Sequence, residues 1–124
     1  MKKIISILLI LIVASTVFAR PVKRIKFPKG ATKVTVTGYL NGYRDKQIYL
    51  IRLRKGQKMT LKANRYVSLF IKDPNGEDVS DMDLSCHSNQ TVKNTSAGDY
   101  KIEAVECQKA VAWKGSFKLT VTVK

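Results

Sequence analysis

GYLNGYRDKQIYLIRLRKGQKMTL, residues 38–61, decides how this chain reads. Side chains alternate between the two sides of an extended strand, so Tyr49, Ile51 and Leu53 share one face. Ile48 and Leu50 begin the opposite face, and Arg52 and Arg54 finish it. Lys55-Gly56 is a break, and Gly56 can take the positive φ that a short turn demands. Beyond it Met59, Leu61 and Ala63 point one way and Lys58, Thr60 and Lys62 the other. The stretch therefore predicts a hairpin of residues 46–54 and 57–63 with an apolar inner face and a cationic outer one. At its head, Asn41-Gly42-Tyr43-Arg44-Asp45 predicts a turn that puts an aromatic ring and a guanidinium at a sheet end.

Working outward, residues 31–40 alternate Val34 and Val36 with Lys33, Thr35 and Thr37, a half-buried strand rich in β-branched residues. Residues 23–27 fit a short edge strand between Pro21 and Pro28. Residues 66–72 are apolar enough for a strand covered on both faces. Asp73-Pro74-Asn75-Gly76 spells a turn, and 79–84 reads as a weak strand or irregular passage. A short strand is expected near 91–93, a longer one over 99–107 and a loop over 108–114. The closing strand, 115–124, puts Phe117, Leu119, Val121 and Val123 on one face. No stretch after the leader carries a helical period. Short strands with a turn every ten or so residues predict an all-β chain, an antiparallel β-sandwich of one domain.

Residues 1–19 stand outside that domain. Lys2 and Lys3 precede an apolar run from Ile4 to Val13, and Val17 and Ala19 fit the −3 and −1 positions of a cleavage site, so a secretory signal peptide is expected. The run is shorter than the ~20 residues a membrane span needs. Removing Lys2 and Lys3 with the leader lowers the 23 basic residues to 21 against 9 acidic ones, a net charge of +12 for residues 20–124. That charge speaks to solubility and anionic partners, not to fold. In an exported chain the two cysteines, Cys86 and Cys107, are expected to be bridged.

Catalytic chemistry finds little to work with. His87 is the one histidine, beside a cysteine assigned to a disulfide, so no enzyme activity is expected. Asp73, Asn75, Glu77, Asp78, Asp81 and Asp83 crowd a turn that could hold calcium, but the spacing is not that of an EF-hand, and no metal or cofactor is assigned. Nucleic acid is an awkward ligand for an exported chain and is not expected as a partner. Trp113, between Lys109 and Lys114, is either an interface anchor or a lid on the core.

Phe27-Pro28-Lys29-Gly30, Gly38, Gly42-Tyr43, Tyr49 and Lys55-Gly56-Gln57-Lys58, continuing through Ala97-Gly98-Asp99-Tyr100 and the strand from Phe117 to Val123, resemble the periplasmic inhibitors of goose-type lysozyme. The likeness covers most of residues 20–124. It implies a sandwich akin to the bacterial pre-peptidase C-terminal domain, export to the periplasm or beyond, and a lysozyme partner gripped by loops at one end. Several such inhibitors carry a Ser-Gly-x-Tyr motif whose loop enters the lysozyme cleft; here Ala97 stands in the serine's place, with Ser96 just before it. Basic residues ahead of the last strand face the enzyme's acidic cleft in that family, and Lys109 and Lys114 hold comparable places. The resemblance thus implies Tyr43, Arg44, Ser96, Gly98, Tyr100, Lys109, Trp113 and Lys114 as contacts. The alternative is a non-catalytic pre-peptidase-like module that binds a polyanion or carbohydrate through Arg52, Arg54, Lys58 and Lys62.

Overall fold

The computed structural model describes residues 21–42, 45–80, 86–107 and 113–124. The leader, residues 1–19, lies outside them. The described residues form eight strands and no helix: β1 (Lys23–Ile25), β2 (Lys33–Asn41), β3 (Lys46–Leu53), β4 (Met59–Ala63), β5 (Val67–Lys72), β6 (Asn89–Val92), β7 (Gly98–Glu106) and β8 (Lys114–Val123). They make two four-stranded sheets, ordered β1-β3-β7-β5 and β2-β8-β4-β6. The β-sandwich expected from the alternation is what forms. Pairing is antiparallel throughout except for β1, which runs parallel to β3 at the sheet edge.

Odd-numbered strands occupy one sheet and even-numbered strands the other. Every connection therefore crosses the sandwich, which corrects the expected hairpin of residues 46–54 and 57–63. β3 pairs with β1 and β7, while β4 pairs with β8 and β6. Gly56 does have positive φ, 78°, but the turn it makes is an arch between sheets. The Gln57 side chain accepts the Arg54 N–H at 2.7 Å, and Lys58 exchanges both backbone bonds with Lys124, at 2.9 and 3.0 Å. Those bonds hold β4 against the last strand instead of its predecessor.

The arch also dismantles the proposed basic face. Arg52 is exposed on the odd sheet and Lys62 on the even one, so these two do not share a surface, while Arg54 and Lys58 belong to the arch between them. The apolar half of the reading stands: Tyr49, Ile51 and Leu53 face Met59 and Leu61 across one core, joined by Leu69, Ile71, Ile102, Phe117, Leu119 and Val121. Burying each such side chain contributes about 1.5–3 kcal/mol. β5 alternates strictly, with Ser68 and Phe70 half-buried, so it is covered on one face and not two. The short strand expected near 91–93 is Asn89–Val92, and β8 begins at Lys114, inside the expected loop. An isolated bridge, Lys72 to Asp78, comes just before the 79–84 passage, of which residues 81–84 lie outside the described set.

Two buried amides were not foreseen. Gln47 faces inward from β3 and donates to Pro21 O and Ile48 O, each at 3.3 Å. Gln90 reaches from β6 in one sheet to Leu69 O on β5 in the other, at 3.1 Å. A buried amide has to find partners or lose about 1–3 kcal/mol, and both serve as cross-links.

The edge strand β1 is held by more than its ladder. Arg24 donates two bonds to the Asp99 carboxylate, both at 2.9 Å. That hydrogen bond holds the Asp99 carboxyl below its usual range. Because the folded value lies below the unfolded one, the pair's support is present at neutral pH and is lost as pH falls through the depressed folded value. Acidification is expected to loosen β1 before the core, read as faster amide exchange at Ile25 than at Ile102. Asp99→Asn should remove the pH dependence of that difference.

Candidate functional site

Register places the loops at two opposite ends. The disulfide end gathers the β2–β3, β4–β5 and β7–β8 connections and the approach to β6. It follows from Lys46 opposite Val105, Asn41 opposite Lys114, and Val67 opposite Glu106. The far end gathers the β3–β4 arch, the 73–78 turn and the β6–β7 loop, because Leu53 sits opposite Gly98 and Met59 opposite both Val92 and Val123. Nine-residue β7 spans the two, so they are separated by about 25 Å.

The eight expected contact residues are split by this arrangement. Trp113 and Lys114 lie at the disulfide end; Ser96, Gly98 and Tyr100 lie at the far end. Tyr43, Arg44 and Lys109 fall outside the described residues. No single docking loop cluster can use both groups, since a partner at one end is a whole strand length from the other.

At the disulfide end, Cys86 and Cys107 are bridged with Cα atoms 5.4 Å apart, as expected of an exported chain. The bridge leaves no cysteine thiolate beside His87. Trp113 is half-buried against the core. Its backbone N–H donates to the buried Glu106 carboxylate at 3.0 Å, its backbone carbonyl accepts from Gly42 N at 3.2 Å, and the Arg65 guanidinium covers its ring at 4.0 Å. Of the two readings of this tryptophan, the geometry is that of a lid, with a cation stacked on its outer side.

The far end is locked more tightly. Thr95, between β6 and β7, is buried. Its hydroxyl donates to Arg54 O at 2.6 Å and accepts from Gln57 N at 3.0 Å. Its backbone completes the clasp, with Gly56 N to Thr95 O at 2.7 Å and Thr95 N to Gln57 O at 2.9 Å. Four bonds thus tie the β3–β4 arch to the β6–β7 loop, across the two sheets. Asn94 takes positive φ, 60°, which a short polar side chain tolerates better than a branched one. Beyond the clasp, Lys55, Gly56, Asn94, Ser96 and Ala97 surround a shallow depression of about 340 Å³.

Tyr100 supports this tip from inside, and Gly98 is the close-packed point at its base. Tyr100 is 3% exposed, and its hydroxyl accepts from Ser96 N at 3.0 Å with Ser96 Oγ at 3.3 Å. A serine one place early therefore still meets the tyrosine. Gly98 has φ 137°, and a Cβ there would sit 2.8 Å from Pro74. Ser96 and Ala97 are exposed, and Gly98 and Asp99 partly so.

The bonding of Thr95 to Gln57 escaped the sequence reading, because a clasp between residues some forty positions apart leaves no local period. Thr95→Val keeps the shape but orphans buried groups on both loops. It is expected to cost about 1–3 kcal/mol in calorimetry, and to speed amide exchange at Gly56 and Gln57 more than elsewhere. Uniform exchange would show the clasp to be dispensable.

In the acidic turn, Asp73 Oδ1 accepts from Asn75 N and Glu77 N, both at 2.9 Å, so this carboxylate folds its own turn. Among the described residues no group of three or more His, Cys, Asp or Glu gathers in a way that could hold a metal ion; Asp81 and Asp83 lie outside them.

No protein-family model and no curated protein matches the chain. Solved structures do. A periplasmic inhibitor of g-type lysozyme from Aeromonas hydrophila superposes with TM-score 0.64 at 18% identity, covering 83% of this chain and 96% of its own. A mutant of the Escherichia coli periplasmic inhibitor of g-type lysozyme gives 0.62 at 21%, covering 83% and 97%. A pre-peptidase C-terminal domain of a Bacillus anthracis collagenase gives 0.55 at 11%, covering 88% and 100%. At these identities the likeness shows the fold, a sandwich that inhibitors and a pre-peptidase domain share.

Proposed function

We propose that this chain is an exported, non-catalytic inhibitor of a goose-type lysozyme, and that it acts through the far end. The observation that carries this reading is the clasped tip: a rigid, cationic loop pair on a fold that lysozyme inhibitors also use. Lysozymes cleave glycan with carboxylic acids set in a cleft. An inhibitor fills that cleft with groups held still beforehand, since preorganised loops lose less entropy on binding. Lys55 and Arg54 supply positive charge, Ser96 supplies a hydroxyl, and Thr95 and Tyr100 fix the loops that carry them. Trp113 and Lys114 take no part in this contact, because they sit at the other end.

A turbidity assay with goose-, chicken- and invertebrate-type lysozymes tests the proposal. Slowed lysis by the goose-type enzyme is expected, with Lys55→Glu weakening inhibition roughly a hundredfold, the scale of breaking a desolvated charge pair. Trp113→Ala, if it folds, should inhibit like the parent. No effect on any of the three enzymes ends the inhibitor reading. Inhibition that survives Lys55→Glu and fails in Lys114→Glu moves the contact to the disulfide end.

A further inference from the structure

The outer face of the even sheet is chemically unlike the rest of the surface. β2, β4, β6 and β8 contain no aspartate, glutamate or arginine. The odd sheet, by contrast, shows Asp99 and Glu103 outward, paired with Arg24 and Lys46. Across the even sheet one outward row runs Thr35, Thr120, Lys62, Asn89, and the next runs Lys33, Thr122, Thr60, Thr91. Lys118 follows, opposite Thr37. Edge protection accounts for a lysine on β2. It does not account for Lys62 and Lys118, which stand on the two inner strands, diagonal neighbours about 7–8 Å apart at Cα. Among the described residues neither lysine has an acidic partner, so the pair offers concentrated positive charge to an anionic ligand.

We propose that this face binds a linear anionic glycan, one whose charges are uronate carboxylates, laid across the strands. Cross-strand spacing is about 4.8 Å, close to the rise of one extended sugar unit, so each strand can offer one hydroxyl, amide or ammonium per sugar. Lys62 and Lys118, diagonal neighbours, meet the carboxylates; the threonines meet sugar hydroxyls, with Thr35 and Thr120 already 3.2 Å apart and able to hydrogen-bond a guest. Nucleic acid fits worse. The strands carry one outward aromatic, Tyr39 at the margin, where base binding needs a run of stacking platforms. They also lack the arginine fork that grips phosphate in two places. This surface is distinct from the far-end tip, so glycan binding and lysozyme inhibition are separable.

Fluorescently labelled protein titrated with polygalacturonate, with neutral dextran and duplex DNA as comparisons, tests it. Binding to polygalacturonate is expected, falling with salt, and Lys62→Glu/Lys118→Glu should weaken it on the order of tenfold or more. Arg52→Glu/Lys72→Glu, the same charge change on the odd sheet, should weaken it less than about threefold. Lys62→Gln/Lys118→Gln gives the same loss with less risk to folding, and lysozyme inhibition by either even-sheet variant should match the parent. Equal losses from both sheets would reduce the effect to net charge. DNA binding tighter than polygalacturonate, or no polygalacturonate binding at physiological salt, would overturn the proposal.

Discussion

Gly38→Ala is expected to destabilise the domain by about 3 kcal/mol, near the upper end for overpacking, and to lower Tm by roughly 15 °C. Gly38 lies on the inward side of β2 with Phe117 directly opposite on β8. The Phe117 ring folds over the bare Cα, and the Tyr49 hydroxyl comes up beneath it. A Cβ at this position would stand 2.6 Å from Phe117 Cε1, with Phe117 Cζ and the Tyr49 hydroxyl nearer still. Neither ring can yield locally, since a phenyl group moves as a plate and both are fully buried. The glycine's value here is absence of volume, not freedom of φ. Phe117→Leu should partly rescue Gly38→Ala, a coupling that a double-mutant cycle reads directly. A Gly38→Ala protein melting within a degree of the parent would show that β2 shifts outward at no cost.

Replacing both cysteines by serine is expected to cost about 3 kcal/mol, from the chain entropy released when a loop of this size opens. The bridge spans a sequence separation of 21 and fastens the entry to β6 onto the end of β7. Its more useful consequence is spatial. The disulfide belongs to the same end as Trp113, and the Thr95 clasp lies a strand length away. At a temperature where Cys86→Ser/Cys107→Ser remains folded, inhibition should persist undiminished if the far end makes the contact. Loss of inhibition in a folded, bridge-free protein would assign the contact to the disulfide end. The same experiment therefore reports stability and site, through different readouts.

Part of the candidate site was legible and part was not, for identifiable reasons. Gly56 and the turn around it follow from local chemistry. The Ala97-Gly98-Asp99-Tyr100 motif located a loop that does lie at a sandwich end. Its tyrosine, though, is an internal prop, and a sequence motif gives no sign of whether a phenol faces water or a backbone N–H. Grouping that loop with Trp113 and Lys114 failed because adjacency to the same sheet says nothing about which end of it a connection occupies. That depends on strand direction and register, which here set Leu53 against Gly98 and Lys46 against Val105.

Alternation in the chain by itself determined an all-β protein and the inward set Tyr49, Ile51, Leu53, Met59, Leu61, Phe117, Leu119 and Val121, and two cysteines behind an export leader determined the disulfide. It could not choose between a hairpin and an arch at Lys55-Gly56. In a hairpin two neighbouring strands turn their apolar sides the same way within one sheet; in an arch they turn them toward each other across the core. The pattern of greasy and polar positions is identical in both. Tertiary structure made the choice by pairing β4 with β8 and β3 with β7, bonds between segments distant in sequence. That choice sent Arg52 and Lys62 to opposite sides of the molecule, and left a face whose strands carry no acid on one of them.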